Sequence, residues 1–378
     1  MGMVVRVLLP ISHALHERNF IASGLVRMLE NHGHEISIFR PTPHFQGLRA
    51  FLRLGSLVAW EPTSRTCKFK LAQPRSPVHR TQITLWRAIQ RLVDPEVIAA
   101  RLEALLPPSK SVQATLACRP DLVLLPTMIH MDAWDNDLVK AAHRAAIPVL
   151  AAPASWDTLS SKGGFLVRPD GLLVWGEASK RHAQDYHGFF PDRITVTGPP
   201  QFDFYHEPRK QPVEHHVLMA GTSIHYLSNE QDIVKRLRDR IDNVLYRPHP
   251  RRGGDWSWSA METLRLQLDT AVCVVTAFST VIIEAALMGK PSLLIGFGQS
   301  SHGPAMAGYH YQLEHMAEIT TWPGVILCQT QQDLVGWVKA ALNGAFANKA
   351  DELRRRAQEV ARCDGHAQER IVAALDAR

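Results

Sequence analysis

The sequence lacks an apolar run long enough to predict a membrane-spanning helix. The longest apolar stretch in its 378 residues, 270–288, is interrupted by Thr276, Ser279, Thr280 and Glu284. The N-terminal sequence MGMVVRVLLPIS has too short an apolar run for a signal peptide. We therefore predict a cytoplasmic protein.

Cysteines and established catalytic or metal motifs are also scarce. The 5 cysteines lie far apart, which excludes a disulfide framework and a CxxC metal site. The patterns GxxxxGK[ST], HExxH and GxSxG do not occur. His13 and His16 lack a third ligand at a suitable spacing, and Asp135 and Asp137 open a predicted helix, where acids complement the helix dipole. We therefore predict no bound metal and no cofactor.

The formal net charge of +6 is concentrated in one segment, residues 49–91. Its many arginines and lysines are accompanied by a single acid, Glu61. Such a segment favours an anionic partner, namely a phosphorylated substrate, a polyanionic acceptor or an anionic membrane surface, or it is simply a solvated basic face. Residues 48–60 suit either a lipid interface or an amphipathic helix packed on its own domain. No nucleic-acid-binding pattern accompanies the charge, so we predict no nucleic-acid partner.

Short apolar strands alternate with amphipathic helices along the whole chain, which predicts an α/β fold with parallel sheets. The predicted strands are residues 4–10, 36–39, 121–126, 149–152, 171–175, 194–197, 217–220, 244–246, 271–275, 292–295 and 325–328. A proline-rich linker, with Pro199, Pro200, Pro208 and Pro212, follows the strand 194–197 and divides the chain into two halves. We predict two Rossmann-like domains, residues 1–205 and 206–378, that face a cleft, with the last helix as a candidate to pack back on the first domain.

Two polar turns follow predicted strands of the second half. Gly221, Thr222 and Ser223 come directly after residues 217–220, and small residues there let backbone N–H groups approach an anion. Arg247 and His249 lie in the turn RPHPRR after residues 244–246, where they can neutralise or hydrogen-bond phosphate oxygens. Both turns are candidate sites for the nucleotide of a donor substrate.

A third polar turn, Ser279 and Thr280, begins an apolar helix, where hydroxyls and free N–H groups can hold a phosphate. Glu284 lies one turn further along that helix. A buried carboxylate needs hydrogen bonds, and ribose hydroxyls would supply them. Each piece also has a structural interpretation, in which Ser279 is only a helix cap and Glu284 pairs with a neighbouring arginine.

The first half offers residues for an acceptor substrate. The segments ISHALHERN and PASWDTLSSKGG both follow predicted strands. His13 or Asp157 is the candidate base that takes a proton from an acceptor hydroxyl, and Glu17 is a further candidate. Arg18 and Lys162 are assigned to the acceptor side, where Lys162 can meet a phosphate. A helix start at His13 and a turn or helix cap at Asp157 are the structural alternatives.

Four further segments along the chain are NHGHEISIF, LVWGEASKRHA, VTGPPQFD and FSTVIIEAALMGKPSLLI. Through these segments the sequence resembles the GT-B glycosyltransferases. The resemblance implies a C-terminal domain that binds the nucleotide of the donor and an N-terminal domain that binds the acceptor. The last two patterns also resemble the epimerase of UDP-N-acetylglucosamine. RPHP together with FST is similar to the HP and Ser-rich motifs of CMP-sugar-using sialyl and Kdo transferases.

We predict a metal-independent glycosyltransferase that moves a sugar from a nucleotide-activated donor to a cell-envelope glycan or lipid-linked acceptor. Arg247, His249 and the helix start at Ser279 would stabilise the leaving phosphate in place of a metal. The alternatives are a CDP-glycerol-type phosphotransferase, an enzyme like UDP-N-acetylglucosamine 2-epimerase, and a non-catalytic module that binds a nucleotide-sugar. The turn TAFST lacks the Ser-Gly-Gly pattern expected of the epimerase, which disfavours that alternative.

Overall fold

The computed structural model forms two compact units, Met1–Pro200 with His366–Arg378, and Gln201–Gly365. It describes residues 4–41, 58–63, 66–71, 77, 81, 84, 95–127, 129, 133–162, 164–206, 215–224, 226–299 and 310–377. The chain passes into the second unit after Pro200, before the predicted division at residue 205. The turn Pro200–Tyr205 packs with the second unit because the Tyr205 hydroxyl donates to Glu284 at 2.7 Å.

The first unit is built on a six-stranded parallel sheet, in the order β2-β1-β5-β6-β7-β8. Its central strands are buried along their whole length, which explains why they read as short apolar runs. The strands are β1 (Arg6–Pro10), β2 (Glu35–Phe39), β5 (Leu122–Thr127), β6 (Val149–Pro153), β7 (Gly171–Val174) and β8 (Ile194–Val196). A separate antiparallel ribbon comprises β3 (Val58–Thr63) and β4 (Thr66–Leu71).

Helices cover the sheet of the first unit, and one of them comes from the far end of the chain. Ile371, Val372 and Leu375 pack in the same apolar cluster as Leu25 and Leu29. The helices are α1 (Ala14–His16), α2 (Leu25–Asn31), α3 (Pro95–Leu105), α4 (Lys110–Thr115), α5 (Ala133–Arg144), α6 (Thr158–Ser161), α7 (Glu177–Asp185) and, in this unit but last in sequence, Ala367–Asp376.

The second unit is built on a five-stranded parallel sheet, in the order β10-β9-β11-β12-β13. The strands are β9 (His216–Ala220), β10 (Val244–Arg247), β11 (Ala271–Thr276), β12 (Ser292–Ile295) and β13 (Val325–Cys328). The helices are α8 (Glu230–Arg238), α9 (Trp258–Asp269), α10 (Val281–Leu287), α11 (Glu314–Ala317), α12 (Gln331–Leu342) and α13 (Ala350–Val360), so that Ala367–Asp376 is α14.

Every predicted strand is found within two residues of its expected bounds, and the predicted parallel α/β fold is confirmed. The apolar spacing of residues 15–32 predicts one helix that ends at Gly33, but the structure interrupts it. A π-helical segment, Glu17–Ala22, follows α1, and Gly24 with φ of +94° separates it from α2. The ribbon β3–β4 and the helix α9 were not predicted.

Most of the basic segment 49–91 lies outside the described residues, apart from the backbone of β3 and β4 and three single positions. The prediction that it faces an anionic surface is therefore untested, as is the part of the linker that holds Pro208 and Pro212. None of the helices in the described ranges is long and apolar enough to cross a bilayer.

Candidate functional site

The three polar turns of the second half lie together at one edge of its sheet. Because β10, β9 and β11 are parallel neighbours, their carboxyl ends meet there. The Gly221 N–H donates to the Arg247 carbonyl at 2.8 Å, which joins the first turn to the second. The Thr222 hydroxyl donates to the Phe278 carbonyl at 3.0 Å, which joins the first turn to the third.

Gly221 is required by this close approach. A Cβ there would lie 2.7 Å from Glu230 Oε1, 3.0 Å from the His249 nitrogen and 3.1 Å from the Arg247 carbonyl oxygen. Ser223, two residues on, is buried, and its Oγ has no hydrogen-bond partner among the described residues. A buried hydroxyl of this kind is available to a ligand or a water. The turn thus brings backbone and one hydroxyl to the sheet edge.

His249 is held as a neutral ring with a defined tautomer. Its Nδ1 accepts a hydrogen bond from the Arg251 N–H at 3.0 Å, so the ring proton is on Nε2. Burial, together with the positive charges of Arg251 and Arg252, lowers the pKa of His249 to about 4. At neutral pH the ring is therefore a hydrogen-bond donor through Nε2 and carries no charge.

The arginines of the second turn have different partners. The Arg247 guanidinium donates to the Ala260 carbonyl at 2.6 Å and to Gln267 Oε1 at 3.1 Å, both in α9, and burial lowers its pKa. Arg252 Nε donates to the Thr222 carbonyl at 2.8 Å. Arg251, beside His249, is exposed. The predicted phosphate role of Arg247 stays a prediction.

The third turn is found where it was predicted. Ser279 Oγ accepts from the Val281 N–H at 3.3 Å, at the start of α10, and Thr280 is the cap residue without a side-chain cap bond. Glu284 is buried, and its Oε1 accepts from the Tyr205 hydroxyl at 2.7 Å. A protein hydroxyl thus satisfies part of this carboxylate, and its contact with a ribose stays a prediction.

An aromatic cluster beside the third turn was missed by sequence reasoning. The Phe278 ring stacks on His310 with a centroid distance of 5.0 Å and meets Tyr226 edge-on at 5.3 Å and His315 at 5.5 Å. Tyr226, Phe278 and the pair His310 and His315 lie far apart in the sequence, with His315 in α11, so no local pattern connects these rings. The phenylalanine in TAFST was the one available signal.

In the first unit, the acceptor-side candidates of the β1 loop are engaged locally. His13 Nδ1 accepts from the Leu15 N–H at 3.0 Å and so caps α1. The neutral ring then carries its proton on Nε2, which can donate to a ligand but cannot accept a proton there. Glu17 accepts from Arg40 Nη2 at 2.9 Å, and Arg18 Nε donates to Asn19 Oδ1 at 3.0 Å.

The β6 loop brings Asp157 and Lys162 together. Asp157 is buried, and its Oδ2 lies 3.0 Å from Lys162 Nζ and accepts from the Ser161 hydroxyl at 3.0 Å. Asn19 Nδ2 donates to the Ala154 carbonyl at 3.2 Å, which joins the β1 and β6 loops.

The two acids of the sequence Asp-Asn-Asp lie in α5 and accept hydrogen bonds from neighbouring elements. Asp137 is fully buried and accepts from the Ser109 N–H at 3.1 Å, and Asp135 accepts from the Thr127 hydroxyl at 2.9 Å. Across the described residues, no group of three or more histidines, cysteines or acids could hold a metal ion.

Comparison with known proteins identifies the fold. No protein-family model matches the sequence, and no curated protein is significantly similar to it. Three solved structures are similar to this chain, each with a TM-score of 0.54. Staphylococcus aureus MnaA with UDP and a Listeria monocytogenes putative UDP-N-acetylglucosamine 2-epimerase are each 14% identical, and each match covers 99% of this chain and 96% of the other. The Neisseria meningitidis UDP-GlcNAc 2-epimerase bound to UDP-GlcNAc is 11% identical, and the match covers 100% of both chains. This likeness confirms the predicted GT-B fold, with two Rossmann-like α/β domains.

Proposed function

We propose that the chain is a nucleotide-sugar-dependent glycosyltransferase whose second unit binds the donor. The observation that carries this proposal is the convergence of three polar turns on one sheet edge. There the Gly221 turn, the buried Ser223 hydroxyl and the Nε2–H of His249 lie on neighbouring loops. Hydrogen-bond donors at the carboxyl edge of a parallel sheet suit a diphosphate.

His249 acts in this proposal as a fixed donor to the leaving phosphate. With a pKa of about 4, it is neutral at the pH of the cytoplasm and does not serve as a strong acid. It stabilises the charge that develops on the phosphate oxygen through a hydrogen bond whose geometry is set before the reaction. The exposed guanidinium of Arg251 adds positive charge beside it.

We propose that this donor set replaces a divalent ion. The test is an assay of turnover after exhaustive treatment with EDTA, with activity expected to be unchanged. A loss of activity that magnesium or manganese restores would contradict the proposal and bring Asp135 and Asp137 back into consideration.

An epimerase is the second candidate, because the solved structures named above include enzymes of that name. Epimerisation requires an acid or base that reaches the sugar carbon. The acids described near the turns are all hydrogen-bonded: Glu230 to Thr222 and Tyr246, Glu284 to Tyr205, and Asp255 to Ser257. Asp157 and Glu17 of the first unit are bound in the same way, so the product of the reaction decides between the two candidates.

In a transferase, the base would come from the acceptor side. The protonated Nε2 makes His13 a hydrogen-bond donor, so we propose the carboxylates Asp157 and Glu17 as the groups that take the hydroxyl proton. Lys162 would hold Asp157 ionised, and His13 and Arg18 would orient the acceptor. Asp157→Asn and Glu17→Gln, assayed separately for kcat, distinguish the two bases.

The ligand class is tested by thermal shifts with UDP, GDP, CMP, CDP and dTDP. A nucleotide at 100 times its dissociation constant stabilises the bound unit by about 2.7 kcal/mol. The reaction is then assayed with the matching nucleotide-sugar. Nucleotide release that requires an added glycan or lipid-linked acceptor supports the transferase, and an epimeric product formed without acceptor supports the second candidate. Turnover of CDP-glycerol identifies the phosphotransferase, and binding without any turnover identifies a binding module.

A further inference from the structure

A buried carboxylate outside the predicted set, Glu230, contacts both the Gly221 turn and the His249 turn. Glu230, the first residue of α8, is 0% exposed. Its Oε2 accepts from the Thr222 N–H at 2.7 Å, and its Oε1 accepts from the Tyr246 hydroxyl at 2.7 Å. Arg252 Nε lies 3.6 Å from Oε1. All three partners flank or belong to the turns around Gly221 and His249.

These contacts form a closed ring through both turns. Arg252 Nε, besides facing Glu230, donates to the Thr222 carbonyl at 2.8 Å. The amide and the carbonyl of Thr222 are therefore bound from two sides, by Glu230 and by Arg252. Tyr246 lies three residues before His249, so its hydroxyl fixes the strand from which the second turn starts.

The charge of Glu230 is balanced inside this ring. A bare buried carboxylate beside a phosphate site would repel the ligand, but Arg252 supplies the opposite charge and Tyr246 a hydrogen bond. Burial and the bond to Glu230 raise the pKa of the Tyr246 phenol, so the hydroxyl keeps its proton. Removal of Glu230 would leave a buried N–H and a partly buried guanidinium without this partner.

We propose that Glu230 is a positioning residue that fixes the Gly221 turn and the His249 turn in the geometry that binds the donor diphosphate. This inference rests on the proposed function of the second unit. Glu230 itself is shielded from the ligand and acts through Thr222, Tyr246 and Arg252. Loss of Glu230 should therefore lower nucleotide affinity and turnover as well as stability.

The test compares Glu230→Ala with Glu230→Gln in the full chain. The alanine variant removes the ring, and we expect amide exchange in residues 221–227 and 248–253 to rise at least tenfold and the Kd for UDP to rise about tenfold. The glutamine oxygen can accept from Thr222 while its NH2 group donates to the Tyr246 hydroxyl, so this variant should recover most of the affinity.

The matched control is Glu103→Ala, which removes a buried carboxylate of the first unit that pairs with Lys140. It should lower the melting temperature without changing the Kd for UDP or the exchange of the two turns. Unchanged exchange of both turns in Glu230→Ala, or a Kd for UDP equal to that of the control, overturns the inference.

Two further arms separate this inference from the proposed function. If the wild type binds no nucleotide of the panel, the proposed function fails, and the exchange of the two turns alone decides whether Glu230 fixes them. If Glu230→Ala does not fold, Tyr246→Phe replaces it. That variant should speed exchange of residues 248–253 about threefold while Thr222 stays protected, and equal exchange in both proteins would overturn the inference.

Discussion

The ring of His249 combines a fixed tautomer with a low pKa, and both have a measurable consequence. We expect His249→Ala to lower turnover about a hundredfold, because one preorganised donor to the leaving phosphate is lost. Folding should be little affected. Since the pKa is about 4, the pH profile of the wild type should show no inflection from this ring between pH 5 and 8.

His32→Ala is the control for this prediction, because His32 is exposed and bonded only within its own helix end, to the Met28 carbonyl at 2.8 Å. It should keep wild-type kinetics. Wild-type turnover in His249→Ala, with unchanged nucleotide affinity, would remove His249 from the mechanism.

Substitution of Gly221 gives a second prediction at the scale of one residue. In Gly221→Ala the new methyl group meets Glu230 Oε1 at 2.7 Å and two backbone atoms at 3.0 and 3.1 Å. Because these neighbours are a tethered carboxylate and main chain, the turns must separate, at a cost of about 1–3 kcal/mol. We expect a lower melting temperature and weaker nucleotide binding, measured by calorimetry.

The comparison for that variant is Gly336→Ala. Gly336 lies inside α12, with nothing within 4 Å of the added Cβ. Alanine has the higher helix propensity, so this variant should be stabilised by up to about 1 kcal/mol. If Gly221→Ala behaved in the same way, the close packing of the turns would be refuted.

Sequence reasoning predicted which turns meet at the sheet edge better than it predicted the hydrogen-bond partners of their residues. Gly221, His249 and Ser279 were predictable because polar residues directly after buried strands meet at one sheet edge. The partner of Arg247 was not, since it donates to α9, a helix that the sequence did not predict. Glu230 was missed because its partners lie in other elements, and nothing near it in sequence marks it as buried.

At the scale of elements, α3 and α5 are joined by a buried ion pair. Lys140 Nζ lies 2.5 Å from Glu103 Oε1 and 3.4 Å from Asp137 Oδ1. Lys140→Met leaves these two carboxylates without their cation, and we expect a loss of about 3–5 kcal/mol in the free energy of unfolding. Urea denaturation, with the unfolding of the first unit as the signal, measures this loss of free energy.

Lys180→Met provides the reference for an ordinary surface pair. Lys180 is partly exposed and lies 3.9 Å from Glu177 Oε2. Its replacement should change the free energy of unfolding by about 0.5 kcal/mol or less. A loss of similar size in both variants would show that the α3–α5 pair contributes no more than a surface pair.

Strands were predicted more accurately than helices for a physical reason. A parallel strand that is buried on both faces, such as β5 or β12, is apolar at nearly every position, so the apolar run indicates its bounds within a residue or two. In α9, by contrast, Leu266 is 66% exposed while Met261 and Leu264 are buried, so apolar residues occur on both faces and obscure the helical period. The apolar spacing of residues 15–32 fits one continuous helix, so it gave no indication of the π-helical segment or of the break at Gly24.

For the whole molecule, buried histidines set the response to acid. Burial lowers the pKa of His16 to about 3 and that of His187 to about 4, while both titrate near 6.5 in the unfolded chain. The unfolded state therefore binds more protons between pH 6.5 and 4, and stability falls as the pH falls through that window. We expect the melting temperature to drop between pH 7 and pH 5.

The contribution of one ring is isolated by His187→Gln. His187 Nε2 lies 2.8 Å from the Leu159 carbonyl oxygen, and a glutamine amide can still donate there. This variant should lose fewer degrees between pH 7 and pH 5 than the wild type. An equal or larger loss would show that His187 is not a source of the acid sensitivity.

The placement of α14 in the first unit has a consequence for biosynthesis. Its residues Ile371, Val372 and Leu375 complete the apolar cluster around Leu25 and Leu29, yet the ribosome adds them after the whole of residues 201–365. Because domains fold as their residues emerge, the second unit has its full sequence available before the first does. The apolar cluster around Leu25 and Leu29 can therefore be completed only after translation has reached α14, whereas the other cluster of the first unit contains no residue of that helix.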